Sequence, residues 1–169
     1  MVAEMNLFEN MAIVGNSPCE IGLGNGVKID SHLNVARFNN YVISERTIKD
    51  YGSKVTHWVT SFFPDVKFNG NDYGNVFCPF PLFHSVYGDR YKRNSELVSY
   101  LDGKLVFIPT EYYEDLIKVV PSPSTGIAFL YWVWRERQLN KQSVYGFSFF
   151  DKSLAHHYFE SGGVSLHNG

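Results

Sequence analysis

An apolar run at residues 11–14, Met-Ala-Ile-Val, stops abruptly at Gly15-Asn16-Ser17 and gives way to a loop containing Gly22, Gly24 and Gly26. A short apolar run bounded by turn residues predicts a buried strand, of the kind that lies inside a parallel sheet. A second strand is predicted in 32–41, where alternation puts Leu33 and Val35 on one side and Asn34 and Ala36 on the other. Segments 54–63 and 74–83 are rich in β-branched and aromatic residues and are bounded by Gly, Asn and Pro, which predicts two more strands. Residues 93–103 carry an Asn or Ser cap, apolar positions at Leu97, Val98 and Leu101, and a terminal Gly103, the marks of a short helix.

A buried strand is predicted at 104–110, followed by a helix over 110–120 with Thr110 as its cap. Pro-Ser-Pro-Ser-Thr-Gly at 121–126 then breaks the chain and opens an apolar stretch, 127–138. That stretch is too long for most strands and too apolar for a surface helix, so it predicts a helix largely buried against a sheet. A final strand is predicted in 142–150 and a short helix or turn in 153–161. Strands alternating with helices predict the α/β class: one domain over 1–169, with a Rossmann-like, mostly parallel, doubly wound sheet and helices on both faces. Ligands of such sheets bind beyond the carboxyl ends of the strands, where Gly-Asn-Ser, Arg-Phe-Asn-Asn, Pro-Ser-Thr-Gly and Tyr-Gly-Phe all fall.

Composition narrows the class. Hydrophobic residues make up 44% and charged residues 19%, as in an ordinary soluble globule. The aromatic share of 17% suits a ring-packed core and equally a sugar- or base-binding cleft. A net charge of −2 argues against a general polyanion binder, so no nucleic-acid partner is expected. Cys19 and Cys78 have no metal-ligand spacing. The N-terminal segment has neither a basic start nor an apolar stretch, and the longest apolar run is too short for a transmembrane segment. The expectation is a soluble, cytoplasmic protein.

Neither a Walker pattern nor G-x-G-x-x-G follows the first strand, and no G-x-S-x-G nucleophile elbow occurs. Asn16 and Ser17 can donate to an anion or merely build a turn. Ser124, Thr125 and Gly126 lie at a helix N-terminus, where free N–H groups attract carboxylate or phosphate; a plain cap is the other reading. His156, His157 and His167 offer no zinc spacing, and there is no D-x-D for a divalent cation on a nucleotide-sugar. Metal-free chemistry without a cofactor is therefore expected. His57 and His84 stand alone in strand-like segments and read as structural.

Taken in order, these pieces resemble the animal-type sialyltransferases, glycosyltransferase family 29. Their large motif runs V-G-N-S, I-D-x-H, V-x-R-F/M-N; here Ala-Ile-Val-Gly-Asn-Ser at 12–17 leads to Lys28–Asn40 and then to Tyr51–Trp58. Their small motif starts P-S/T-S/T-G and ends near V-Y-G-F, similar to 123–134 followed by Ser143–Phe147. Their third motif, H-Y-aromatic-acid, resembles His157-Tyr158-Phe159-Glu160.

The resemblance implies a GT-A-like variant of the Rossmann sheet. It also implies an inverting, metal-independent transfer of sialic acid, or a related acid sugar, from a CMP-sugar donor to a glycan acceptor. It assigns Asn16, with Ser17, and Asn39 to the phosphate and ribose, and Ser124, Thr125 and Gly126 to the cytidine and the sugar carboxylate. Gly146 and Phe147 join the donor site, and His157 contacts the leaving phosphate. His167 takes the place of the catalytic base in the family's His-x-x-x-x-Glu motif. The glutamate has no counterpart, as if the C-terminal end of the family domain were lacking. The alternative expectation is thus a non-catalytic protein that binds CMP or a CMP-sugar and regulates or scaffolds. Secretory-pathway members join the large and the small motif by a disulfide. The matching positions here are Met11 and about Leu139, which favours a reducing compartment, as in a bacterial or viral member.

Overall fold

The computed structural model describes residues 6–82 and 88–148. Its centre is a sheet of six parallel strands: β1 (Met11–Val14), β2 (Asn34–Phe38), β3 (His57–Val59), β4 (Asn75–Cys78), β5 (Leu105–Phe107) and β6 (Val144–Tyr145). The spatial order is β5-β4-β3-β2-β1-β6. The chain steps outward from β1 to β5, then crosses back to lay β6 on the far side of β1. The carboxyl ends of β1 and β6 therefore flank the point where strand order reverses, the place where open α/β sheets form their ligand crevice.

Both faces of the sheet are covered, which explains why its strands read as apolar runs. Met11 and Ile13 of β1 point into one core with Ala36, Phe38, Val59 and Phe77, against Phe129, Trp132 and Val133. Ala12 and Val14, with Val35, point to the opposite face and meet Ile29, Tyr51 and Tyr145. A third cluster on Trp58, Val76 and Cys78 is covered by Tyr91 and Leu101. Much of the aromatic content is core: the ring of Phe77 lies 5.4 Å from Phe8, 5.3 Å from Phe129 and 5.7 Å from Trp132. Met11 is buried in this same apolar core and Leu139 packs against it.

The helices are α1 (Gly26–Asp30), α2 (Ile48–Tyr51), α3 (Gly88–Arg93), α4 (Ser95–Tyr100), α5 (Thr110–Val119) and α6 (Thr125–Arg135). Helix α6 buries Ala128, Phe129, Trp132 and Val133, one stripe at helical spacing, while Trp134 stands exposed. It is thus amphipathic rather than enclosed. Its N-cap is Ser124, whose Oγ accepts from the Ile127 amide at 3.3 Å. Among the described residues no helix is long and apolar enough to cross a membrane.

The sequence reading holds for all six strands and for α4, α5 and α6, with local corrections. The sheet is entirely parallel. Strand β5 is only half-buried, because it lies at the sheet edge. Strand β6 is two residues long and is preceded by a 3-10 turn at Lys141–Ser143. Thr110 is the first helical residue of α5 behind Pro109, not its cap. Asn94 precedes α4 without capping it; its Nδ2 donates instead to the carbonyls of Phe62 and Arg90. Helices α1, α2 and α3 have no counterpart in the sequence reading.

Candidate functional site

The crevice between β1 and β6 is built from backbone first. The Gly15 amide donates to the Tyr145 carbonyl at 2.8 Å, and the Ser17 amide to the Gly146 carbonyl at 3.0 Å, extending the ladder past both strand ends. A Cβ on Gly15 would collide with the carbonyl oxygen of Gly146, and a Cβ on Gly146 with that of Gly15. Gly146 also has a φ of 69°, in the left-handed region that glycine enters without cost. The Phe147 ring fills the space that follows. It lies 3.0 Å from where a Cβ of Gly15 would sit and 2.8 Å from that of Gly126, and meets Phe38 edge-on at 5.6 Å. This contact draws the start of α6 to the strand ends. The fold thus brings together Gly15, Asn16, Ser17, Gly126, Gly146 and Phe147, from segments more than a hundred residues apart.

Two side-chain oxygens here lack partners among the described residues. Asn16 donates through Nδ2 to the Phe38 carbonyl at 3.1 Å, which orients its amide. Among the described residues, its buried Oδ1 and the buried Oγ of Ser17 have no hydrogen-bond partner. An unsatisfied buried polar atom costs about 1–3 kcal/mol, and two of them lie side by side just beyond the end of β1.

Asn39 follows β2 with a φ of 44°. Its Oδ1 accepts from the Ser61 amide at 3.0 Å and from Ser61 Oγ at 3.3 Å, and its carbonyl accepts from Trp58 Nε1 at 2.9 Å. The oxygen is thus committed to the fold. Ser124 Oγ accepts as the cap of α6, which leaves its O–H free to donate. Thr125 opens the helix beside it. His157 and His167 lie outside the described residues, as do His84 and His156.

Other motif residues brace the crevice. The Asp30 carboxylate accepts from the amides of Ser53 and Lys54 at 2.9–3.0 Å, and Gly52, with a φ of 68°, leaves it room to approach. His32 spans the two halves through Nε2, 3.1 Å from Ser143 Oγ. Asp50 Oδ1 accepts from the Gly24 amide at 2.8 Å, and the amides of Gly22 and Gly24 hold this carboxyl below the usual carboxylate range. His57, read as structural, is so. Its Nδ1 accepts from the Asn75 amide at 2.9 Å, its Nε2 lies 3.1 Å from Asn34 Oδ1, and burial pushes its pKa down.

Sequence reasoning missed Glu20. Its buried carboxylate accepts from the Gly146 amide at 3.0 Å through Oε1 and from Asn25 Nδ2 at 2.8 Å through Oε2. It thereby ties the glycine-rich loop to the end of β6. Together with Leu130, Leu139, Lys141, Val144, Gly146 and Phe147 it lines a cavity of about 440 Å³. A single acidic residue in a loop carries no signal in sequence, because its partner amide arrives from 126 residues away. Among the described residues no group of three or more His, Cys, Asp or Glu side chains could hold a metal ion.

This architecture has solved counterparts. A mammalian sialyltransferase in complex with Gal-beta-1-3GalNAc-ortho-nitrophenol superposes with a TM-score of 0.64 at 22% identity, over 89% of this chain and 59% of that one. A further mammalian sialyltransferase structure gives 0.61 at 23% identity, over 92% of this chain and 60% of the other. The fold is sialyltransferase-like. At this identity the likeness is one of fold, and the chain spans about three-fifths of the length of either neighbour. No family model and no curated protein matches the sequence.

Proposed function

We propose that the protein is an inverting, metal-independent glycosyltransferase that moves sialic acid, or a related acid sugar, from a CMP-sugar to a glycan hydroxyl. The observation that carries this reading is the crevice at the reversal of strand order in a sialyltransferase-like sheet. There the Gly-Asn-Ser and Tyr-Gly-Phe segments interlock, and Asn16 Oδ1 and Ser17 Oγ stand buried without partners among the described residues. The order of the sequence motifs agrees with it.

In this mechanism Asn16, Ser17 and Asn39 Nδ2 hold the phosphate and ribose. The α6 N-terminus at Ser124, Thr125 and Gly126 lies against the cytidine and the sugar carboxylate, where its free amides and dipole favour negative charge. The acceptor hydroxyl attacks the anomeric carbon, the bond from that carbon to the phosphate oxygen breaks, and CMP departs. His167 takes the hydroxyl proton, and His157 donates to the leaving phosphate. Fixed donors aimed at charge that develops in the transition state account for most of the acceleration in such sites. The leaving group is an activated phosphate ester, and the sequence has no D-x-D to recruit a divalent cation.

The decisive experiment is CMP release from CMP-sialic acid against an array of glycan acceptors. Acceptor-dependent release with inversion at the anomeric carbon supports the reading. CMP binding without turnover on any acceptor points instead to a binding protein with a regulatory or scaffold role.

A further inference from the structure

The carboxyl edge of the sheet does not end at the donor crevice. Beyond β3 the chain turns sharply through Thr60–Phe63. Phe62 has a φ of 51°, a strained conformation for a bulky residue that persists only where the surroundings over-determine it. Here they do. Thr60 Oγ1 accepts from the Phe62 amide at 3.1 Å, and Ser61 Oγ accepts from the Phe63 amide at 3.4 Å. The Phe62 ring is buried between Trp58, at 6.2 Å, and Tyr91, at 5.6 Å. The outcome of that strain is that Phe62 is 2% exposed while its neighbour Phe63 is turned outward, 42% exposed.

An outward ring on a mobile loop would mean little, but this one is fixed. The Arg90 guanidinium of α3 lies 3.5 Å from the centre of the Phe63 ring, a cation–π stack on one face. The loop below is stitched to the one after β2 at two points. Asn39 Oδ1 takes the Ser61 amide and hydroxyl. Asn40 Nδ2 donates to the Asp65 carbonyl at 2.8 Å while its Oδ1 accepts from the Lys67 amide at 2.8 Å. Val42 and Ile43, on the loop after β2, are exposed as well. Asn39, assigned to the donor in the reading above, thus also positions the turn that carries Phe63.

We propose that Phe63, backed by Arg90, is a docking platform for a pyranose ring of the glycan acceptor, stacked through the sugar's apolar C–H face. This rests on the glycosyltransferase reading above and extends it to the acceptor side. An exposed ring that a cation and a strained turn hold in place presents a flat apolar surface with little ordering left to lose on binding. A galactoside, with several C–H bonds on one ring face, is the sugar class such a surface suits.

The full chain is the object to test, by two separate titrations. Calorimetry with CMP decides the donor reading alone. Ligand-observed NMR with N-acetyllactosamine, with and without CMP, decides the platform. Wild-type protein should bind the disaccharide, and Phe63→Ala should weaken that binding about fivefold or more while CMP affinity stays within about twofold. Phe63→Tyr, which keeps the ring, should restore it. Undiminished disaccharide binding in Phe63→Ala, or no binding of N-acetyllactosamine by the wild type, overturns the platform whatever the CMP titration gives. Loss of CMP binding in the wild type removes the donor reading and leaves the sugar titration to be judged by itself.

Discussion

Gly15 and Gly146 lie backbone to backbone, each occupying the space where the other's Cβ would have to go. This contact closes β1 against β6 and sets the depth of the crevice. Gly146→Ala adds a left-handed strain of about 1–2 kcal/mol to a steric clash of about 1–3 kcal/mol. The variant should unfold about 5–15 °C below the wild type. Gly15→Ala carries only the clash and should fall less. Thermal unfolding by circular dichroism ranks the two; a Gly146→Ala protein as stable as wild type would refute the packing described.

Ser17→Ala removes a buried hydroxyl that has no partner among the described residues. In the unliganded protein the substitution should be neutral or stabilising by about 1 kcal/mol, since a desolvated unpaired group is lost. CMP affinity should nevertheless drop about three- to tenfold if the hydroxyl meets the ligand. Chemical denaturation and calorimetry on one preparation give both quantities. A fall in stability with unchanged affinity would make Ser17 structural.

His167→Ala should lower turnover about 10²- to 10⁴-fold, the usual contribution of a general base, with CMP affinity nearly intact. His157→Ala should lower both turnover and CMP affinity, because its proposed partner is the phosphate. Steady-state rates together with CMP titrations of both variants separate the two roles. An active His167→Ala enzyme would remove that residue from the mechanism.

Transferase activity should survive EDTA. A drop to background that Mg²⁺ or Mn²⁺ reverses would overturn the metal-free mechanism.

His57 makes stability depend on pH. Its pKa is depressed in the folded state by burial, with Nδ1 already accepting from the Asn75 amide. Between that lowered value and the ordinary 6.5, the unfolded chain therefore binds more protons. The stability it contributes is complete above 6.5 and is lost as pH falls through this window. His57→Gln should flatten the slope of unfolding free energy against pH there. Asp50 adds a second loss at lower pH, since its folded-state pKa is lowered by the amides of Gly22 and Gly24. Urea melts across this range give both slopes.

The sequence by itself determined the class of the fold and the identity of the pieces. Apolar runs such as 11–14, bounded by turn residues, predict strands buried on both faces, and the long apolar stretch 127–138 predicts a helix packed on the sheet, whereas its contact stripe at Ala128, Phe129, Trp132 and Val133 came with the fold. Period and burial are local properties, legible without coordinates. The motif glycines were legible too, though not their reason: that Gly15 and Gly146 face each other, and Gly126 faces Phe147, is a matter of strand order. Only the tertiary structure decided which oxygens find a partner within the fold. Ser124 Oγ caps a helix and Asn39 Oδ1 holds Ser61, whereas Asn16 Oδ1 and Ser17 Oγ stand without partners among the described residues. Glu20 and Phe63 were invisible for the same reason. Their roles depend on Gly146 and Arg90, groups delivered from 126 and 27 residues away, and a hydrogen bond or a ring stack exists only once the chain has closed the distance.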